Sequence, residues 1–388
     1  MNSDIAREFR FWLALLSVVP ATSACGSGVA GDTCPGGSCD RADAEVPPIM
    51  TDGGGDACPG GSCDLTCGSG RCPTILASGL NWPGALAIDA TDVYFTRGGT
   101  SANNYSDGAV MKVPIEGGMP IMLASGQRSP SGIAVDTSAV YWTDWGTFVG
   151  PSLDHALDTV MAVPLGGGSP VTLASGQNGP QGVAVDATNI YWTNSYGTVM
   201  RMPLGGGTPV ALASGLDFPG SIAVDATSVY WVNGGTTGKP YGYTTLMKIP
   251  IAGGTPTTLA SAGLIASGSS IAVDSASVYW TIAVYAASSG TTACTVGTVT
   301  KVPIAGGTPT TLAAGQNGPG AIAVDATAAY WLNQGVSDDG SLVRIPIAGG
   351  SAVTLASGQN VPMGIAVDGT YVYWTEAANG TVMKILKD

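Results

Sequence analysis

From residue 73 onward the chain repeats one unit seven times. Each copy has a run of the Ile-Ala-Val-Asp type, and its acid is in turn Asp89, Asp136, Asp186, Asp225, Asp274, Asp325 and Asp368. An aromatic doublet follows in every copy: Tyr94-Phe95, Tyr141-Trp142, Tyr191-Trp192, Tyr230-Trp231, Tyr279-Trp280, Tyr330-Trp331 and Tyr373-Trp374. Successive copies lie about 40 to 50 residues apart, a period typical of propeller blades and unlike that of leucine-rich or tetratricopeptide repeats.

Each copy contains four short apolar runs separated by turn signals. In the copy that begins at Pro180 the runs are 182–186, 190–194, 197–204 and 208–215. Four such runs predict a blade of four antiparallel strands, named A to D in chain order. Proline near the end of run C suits a strand margin, and the glycines that follow supply the positive φ of a tight hairpin.

The first and last runs indicate how the repeats close. The seventh copy supplies strands A to C only, whereas 74–79 reads as a strand D that stands before any strand A. Pairing this strand with the last blade would close a ring and remove two exposed sheet edges. The sequence therefore predicts an all-β fold over 73–388, a closed seven-bladed β-propeller with four antiparallel strands per blade.

The segment Tyr141-Trp142-Thr143-Asp144, with the Leu-x-Gly-Gly and Pro-x-Gly-Ile-Ala-Val-Asp segments around it, resembles the YWTD repeat of the lipoprotein-receptor family. The resemblance covers nearly all of 73–388. It implies a propeller fold, an extracellular binding role and an architectural, hydrogen-bonding role for the aspartate. Only Asp144 matches that aspartate; the other copies have Arg97, Asn194, Asn233, Ile282, Asn333 and Glu376. Propellers of that family have six blades, and this chain counts seven.

The N-terminus has the pattern of an export signal. Arg7 and Arg10 precede the apolar run 11–19 and the small residues 21–24, which predicts a signal peptide over 1–24. The stretch Thr22-Ser23-Ala24-Cys25 resembles a bacterial lipobox, and this resemblance implies acylation of Cys25. Plain cleavage after Ala24 is the alternative. We expect an exported lipoprotein of the outer membrane or cell surface, alternatively a secreted protein, that meets a membrane only through the lipid.

Residues 25–72 form a predicted stalk or linker that is rich in cysteine and glycine. Beyond Cys25 it holds six candidates for disulfide bonds: Cys34, Cys39, Cys58, Cys63, Cys67 and Cys72. Exported proteins meet oxidising conditions, so disulfides are the default, although six cysteines allow fifteen connectivities. Zinc is a weaker match because four residues separate each pair and no histidine is near. Cys294 is the odd cysteine of the repeat region.

The charge of the chain disfavours polyanionic partners. Residues 73–388 hold eighteen acidic and ten basic residues, and no basic run or stripe interrupts them. Nucleic acid is therefore not an expected partner. We expect no cofactor and no metal site, and we expect a monomer.

Function is predicted to lie on the connections between strands B and C. These connections vary in length and share one face, and variable loops on a rigid scaffold commonly carry recognition. Their candidate binding residues are Tyr105, Trp145, Phe148, His155, Tyr241, Tyr243, Tyr285, Asp338 and Asp339. The favoured hypothesis is a module that binds a protein or a glycan, with no catalytic residue assigned. The alternative is a secreted hydrolase or lyase whose active site, with His155 or a carboxylate pair, lies on the same face.

Overall fold

The computed structural model describes residues 72–103, 105–146, 155–234, 244–262, 270–284, 296–335 and 338–387. Apart from two short 3-10 helices, Ser101–Asn103 and His155–Leu157, the regular elements of these ranges are 28 strands, β1 to β28. Seven four-stranded antiparallel sheets contain them, and we number the blades by the order of their first strand.

Every blade has the order A-B-C-D from one edge of its sheet to the other. Strands A are β2 (Pro83–Ile88), β6 (Pro130–Val135), β10 (Pro180–Val185), β14 (Pro219–Val224), β18 (Ile271–Val273), β22 (Pro319–Val324) and β26 (Pro362–Val367). Strands B are β3 (Asp92–Arg97), β7 (Ala139–Asp144), β11 (Asn189–Asn194), β15 (Ser228–Asn233), β19 (Ser277–Val284), β23 (Ala328–Asn333) and β27 (Tyr371–Glu376).

The two outer strands of each blade complete the set. Strands C are β4 (Gly108–Pro114), β8 (Thr159–Pro164), β12 (Thr198–Pro203), β16 (Thr244–Pro250), β20 (Val296–Pro303), β24 (Gly340–Pro346) and β28 (Thr381–Leu386). Strands D are β5 (Ile121–Gln127), β9 (Val171–Ser175), β13 (Val210–Ser214), β17 (Thr257–Ala262), β21 (Thr310–Asn317), β25 (Val353–Gln359) and, for blade seven, β1 (Thr74–Ala77).

The ring closes as the sequence predicts. Each strand A contacts the strands A of both neighbouring blades, including β26 with β2, so these strands surround the centre. Strand β1 pairs antiparallel with β28, with Thr74 opposite Lys384 and Ile75 opposite Met383. The prediction of a closed seven-bladed β-propeller is therefore confirmed.

The aromatic doublets form the joints between blades. The two residues of a doublet point to opposite faces of strand B, so tyrosine packs toward the next blade and tryptophan toward the previous one. Tyr141 of blade two lies in one buried cluster with Trp192 of blade three, and the remaining joints repeat this arrangement. At the closing joint Tyr373 of blade seven packs with Phe95 of blade one. The doublets are therefore packing residues.

The repeated aspartate fixes the turn between strands A and B and also holds the tyrosine. In blade four, one oxygen of Asp225 accepts the backbone N–H groups of Thr227 and Ser228, and the other accepts the hydroxyl of Tyr230 at 2.7 Å. Burial raises the pKa of Asp225, but these hydrogen bonds outweigh it, so the pKa lies below its ordinary value. All seven aspartates bond their tyrosine in this way.

A second contact ties neighbouring blades near the turns between strands C and D. A lysine or arginine of strand C, opposite the doublet tyrosine, donates to a backbone carbonyl of the next blade; the pairs are Lys112 with Leu165, Arg201 with Ile251, Lys248 with Ile304, Lys301 with Ile347 and Lys384 with Ile115. Blade two has Ala162 at this position, opposite Tyr141. The joint between blades two and three therefore lacks this hydrogen bond.

The two faces of the ring differ sharply in regularity. The A–B turns are three residues long in every blade, and the six C–D turns within the repeats are six residues long. The B–C and D–A connections emerge at the opposite ends of the strands, and they vary from 3 to 14 and from 1 to 8 residues. We call the face with the B–C and D–A connections the upper face. Variation in length is confined to it.

We predict that Ala162→Lys stabilises the protein. The new ammonium group would reach the carbonyl of Leu204, which is equivalent to Leu165 in blade two, and add about 1 kcal/mol to the free energy of unfolding. This gain corresponds to a rise in Tm of about 2–4 °C. Thermal unfolding followed by circular dichroism measures it. Lys248→Met, which removes the same bond between blades four and five, should lower Tm; a destabilised Ala162→Lys protein would contradict this account of the joint.

Candidate functional site

Backbone strain is concentrated at one position of the upper face. The residue directly before the proline of strand A is left-handed in six blades, with φ of 47° at Trp82, 52° at Ser129, 50° at Phe218 and 53° at Val361 and with glycine in the other two. Left-handed backbone is unfavourable for residues with a side chain and most of all for a β-branched one. The structure offsets the strain because each carbonyl accepts an N–H from the residue after strand B, for example Gly98 to Trp82 at 3.0 Å.

At this left-handed position before the strand A proline, blades one and four have large aromatic side chains where other blades have smaller residues. Trp82 is 37% exposed and Phe218 is half-buried, whereas Gly179 and Gly318 occupy the equivalent positions of blades three and six. Strained residues held by their surroundings cluster at binding and catalytic sites. The strained residues therefore favour the upper face as the location of a functional site.

A buried carboxylate organises the upper face where blades two and three meet. Asp158, which directly precedes β8, is 2% exposed. It accepts hydrogen bonds from Nδ1 of His155 at 2.8 Å and from the N–H of Gly179 at 2.8 Å. The N–H of Gln177 bonds the Asp158 carbonyl at 3.2 Å. One carboxylate thus joins the B–C connection of blade two to the D–A connection that leads into blade three.

The rings of Trp145 and Tyr196 lie against Gly179, and the rings of His155 and Phe218 lie next to Tyr196. We call His155, Trp145, Tyr196 and Phe218 the aromatic cluster. A Cβ at Gly179, where φ is 64°, would overlap the indole nitrogen of Trp145 and press on the Tyr196 ring. Tyr196 meets the His155 ring edge-on, with centroids 4.9 Å apart and planes at 67°. The centroid of the Phe218 ring lies 6.4 Å from that of Tyr196, and the two ring planes are inclined by 49°. Tyr196 is 38% exposed and forms the open part of the cluster.

The polar groups of the cluster hold the His155 imidazole in place and leave it accessible. Burial raises the pKa of Tyr196, and the negative charge of Asp158 raises it further, so its phenol stays protonated well above neutral pH. A buried aspartate on Nδ1 fixes the orientation of His155, as in the base and orienting pair of a hydrolase. No described serine or threonine hydroxyl bonds to the His155 ring, so among the described residues this pair has no nucleophile.

Asp144, the aspartate of the YWTD-like segment, lies directly before Trp145 on the same face. It is 5% exposed, and its Oδ1 atom has no hydrogen-bond partner. Burial raises its pKa to about 7, against the opposing effects of hydrogen bonds from the Arg128 backbone and the Trp142 side chain and of the Arg128 charge. Asp144 is therefore a buried acid that titrates near neutral pH.

Blades three and six satisfy the same position with an asparagine. Asn194 donates to the side-chain oxygens of Gln177 and Thr198, and Asn333 makes the equivalent bonds to Gln316 and Ser341. Within blade two, Gln127 also accepts the indole N–H of Trp142. An ionised aspartate cannot donate to this glutamine oxygen, so Asp144 lacks the amide hydrogen bonds that Asn194 and Asn333 make.

The remaining candidates of the upper face are placed separately. Tyr105, with φ of 57°, is half-buried in the B–C connection of blade one, where its carbonyl accepts the N–H of Ser129 at 3.1 Å. Asp107 accepts from Thr100 and Asn103, and these hydrogen bonds lower its pKa to about 2. Asp338 and Asp339 are exposed in blade six, and Asp339 accepts from Asn317 at 3.1 Å.

Several predicted residues lie outside the described part of the chain. They are Phe148, Tyr241, Tyr243 and Tyr285 of the binding candidates, and Cys25, Cys34, Cys39, Cys58, Cys63, Cys67 and Cys294. Cys72 is described and lies two residues before β1. The disulfide pairs, the signal peptide and the acylation of Cys25 stay predictions.

Sequence reasoning placed Trp145 and His155 on this face but missed Tyr196 and Phe218. Tyr196 lies in the B–C connection 195–197, the shortest of the seven, and Phe218 lies in a D–A connection. For Phe218 the available signal was an aromatic residue before the strand A proline, where blades two, three and six have serine or glycine.

Two further properties concern the described residues alone. No group of three or more histidine, cysteine, aspartate or glutamate side chains comes together there in a way that could hold a metal ion. Within the same ranges, no helix has both the length and the apolar character needed to cross a membrane.

Solved structures show similarity to this chain in fold. The WD40 domain of Neurospora crassa Pan2 has a TM-score of 0.59 at 10% identity and covers 81% of this chain and 96% of its own. The computationally designed Ika8 protein has a TM-score of 0.52 at 14% identity, covering 80% and 98%. The tricorn protease has a TM-score of 0.56 at 10% identity, and the 82% of this chain that aligns spans 34% of that protein.

No protein-family model and no curated protein matches the chain. Because the structural similarities all lie at or below 14% identity, they support the seven-bladed β-propeller fold alone. The resemblance to the YWTD repeat family stays an expectation from the sequence.

We predict that Asp144→Asn stabilises the protein above neutral pH. A pKa raised from 3.8 to about 7 means that the folded state favours the protonated carboxyl. The contribution of this group to stability is therefore complete below pH 3.8 and is lost as pH rises toward 7. At pH 8 the variant should be more stable by on the order of 2–4 kcal/mol, and the gain should shrink toward zero near pH 4. Urea unfolding at both pH values measures it.

The reciprocal change Asn194→Asp in blade three is the matched control. It buries a carboxylate where an amide donates two hydrogen bonds, so it should destabilise the protein at pH 8 and less so at pH 4. An Asp144→Asn effect that does not change with pH would disprove the assigned titration.

Proposed function

We propose that this protein is an exported, surface-anchored β-propeller that binds a protein or a glycan through its upper face. One observation carries the proposal: the described residues display the aromatic cluster on the face where the seven copies differ in length. The opposite face keeps turns of three and six residues throughout. A fixed scaffold with divergent loops at one face is the usual design of a recognition module.

The chemistry of the cluster suits binding. Aromatic side chains combine a large apolar surface with little conformational entropy, and they are the commonest anchors of interfaces. Here the buried Asp158 and the close approach at Gly179 hold Trp145, His155 and Tyr196 in place before any ligand arrives. A pre-organised site loses less entropy on binding than a flexible loop does.

The anchoring part of the proposal rests on the N-terminal sequence. Strand β1, which completes blade seven, begins two residues after the predicted stalk 25–72. A tether that continues into the closing strand would hold the propeller at the surface. The resemblance to the YWTD repeat family supports an extracellular binding role.

We predict that replacing the inner parts of two upper-face loops abolishes binding without unfolding the protein. Residues 147–153 and 236–242 would each become a short Gly-Ser linker, and Trp145→Leu would remove one ring of the aromatic cluster, while Gly146, His155 and Asp158 stay in place. Tm should change little because insertions at loop tips are tolerated. Pull-down from the native cell envelope with the full-length protein identifies the partner and measures its loss.

A lower-face change is the matched control. Extension of the C–D turn 165–170 by three Gly-Ser residues alters the opposite face and should leave the pull-down unchanged. Retained binding by the upper-face variant would move the site elsewhere. Turnover of a captured ligand that depends on His155 would favour the hydrolase or lyase instead.

The proposed lipid anchor at Cys25 leads to a separate prediction. Mass spectrometry of the mature protein from its native membrane should show an N-terminus at Cys25 that carries acyl chains, since two signals or a multiply acylated cysteine are needed for stable anchoring. Cys25→Ser should release the protein to the medium. An unmodified Cys25 in the mature protein would disprove the lipoprotein assignment.

A further inference from the structure

Among the described residues, the ring of Tyr196 is the accessible part of the cluster. Tyr196 is 38% exposed, its ring meets that of His155 in a T-shaped contact, and burial and the charge of Asp158 raise its pKa. No described lysine or arginine lies over this ring. The described part of the cluster therefore combines an accessible aromatic face with a nearby buried carboxylate.

The same combination occurs inside the protein with a cation in place. The ammonium group of Lys112 lies over the ring of Tyr94 at 5.9 Å and bonds Asp92 at 3.1 Å. Lys248 lies over Tyr230 at the same distance, and the hydroxyl of Tyr230 bonds Asp225. Attraction between a cation and the face of an aromatic ring stabilises each arrangement.

A third internal pair shows that the arrangement tolerates variation. Lys384 lies 4.5 Å from the centroid of the Tyr371 ring and 3.6 Å from a carboxylate oxygen of Glu116. Ring, carboxylate and ammonium group therefore meet repeatedly in this fold. At Tyr196 two of these three groups are present.

The charge of the upper face favours a cation there. The strand ends and connections of this face, where described, contain two arginines, Arg97 and Arg128, and seven acids: Asp107, Asp144, Asp158, Asp217, Asp338, Asp339 and Glu376. Asp217 directly precedes Phe218 of the aromatic cluster and is exposed. A face with excess negative charge attracts cationic groups and repels anionic ones.

We propose that the exposed ring of Tyr196 is the subsite for a lysine ammonium group presented by a protein ligand. This inference rests on the proposed binding function and names the chemistry that the upper face recognises. The ring receives the ammonium group, Phe218 and Trp145 contact the alkyl stem, and the acidic surroundings provide long-range attraction.

The ring geometry favours a compact cation over a sugar. Tyr196 is inclined by 67° to His155 and by 49° to Phe218, so these three rings form no continuous plane on which a glycan of several sugar units could stack. An ammonium group needs the face of one ring only. A neutral glycan therefore becomes the competing outcome of the test.

His155 makes the test direct because it is the one histidine of the chain. Histidine-selective isotope labelling of the full-length protein gives a single imidazole NMR signal, and its ring touches Tyr196. The probes are a capped pentapeptide with two lysines, its norleucine counterpart and methyl glucoside. Each is titrated at low and at physiological salt, and signal shifts give the dissociation constants.

The expected result has three parts. The lysine peptide shifts the His155 signal and binds more weakly at higher salt, while the norleucine peptide does not bind. Tyr196→Leu weakens binding by about three- to thirty-fold, whereas Tyr196→Phe retains it because the ring remains. Met119→Leu, at an 88%-exposed position of the lower face, behaves as wild type. Thermal melts confirm that every variant folds.

Other results overturn the inference. If the norleucine peptide binds equally well, or if Tyr196→Leu does not weaken binding of the lysine peptide, the ammonium group is not what the Tyr196 ring recognises. A response to methyl glucoside alone assigns the site to a carbohydrate. In either case the proposed binding function survives if the upper-face loop variant still loses its pull-down partner, and it fails with the inference if that variant binds normally.

Discussion

The packing of a tyrosine from one blade against a tryptophan of the next holds the ring together. Each strand B contributes one residue to each of its two joints through its doublet, because the period of two sends adjacent side chains to opposite faces of the sheet. Each blade can therefore be joined on both sides by a pair of adjacent residues. The aspartate at the end of strand A sets the tyrosine in place through its hydroxyl, at 2.7 to 3.1 Å in every blade. Ring geometry depends on this short local pattern.

The fixed joints explain why the chain can vary where it does. Tyrosine, tryptophan, aspartate and the strand C cation lie within strands or beside the uniform turns of the lower face. The upper connections carry none of these contacts, so they can change in length without disturbing the ring. At blades two and three they also form a joint of their own. Asp158 links both connections, at the one joint where Ala162 removes the cation from strand C.

Much of the fold could be predicted from the sequence because its signals are local and repeated. Seven copies of one pattern give the blades, and the unpaired strand at 74–77 gives the closure. The candidate site could be predicted only in part: Trp145 and His155 were expected in the B–C connection of blade two, where the structure has them. Tyr196 and Phe218 join them through contacts between separate connections, which no spacing reveals. The left-handed backbone at Phe218 and Val361 was equally hidden, since residues before proline usually avoid helical conformations.

The pairing of β1 with β28 places the two ends of the repeat region in a single sheet. In an open repeat array a terminal unit can detach alone, because it contacts one neighbour. Here blade seven has no fourth strand unless Thr74–Ala77 is present, and that strand also buries Leu76 and Ala77 beside Phe95 and Val113 of blade one. Fraying at either terminus therefore opens the same joint. Such a molecule should denature as one cooperative unit, without stepwise loss of blades.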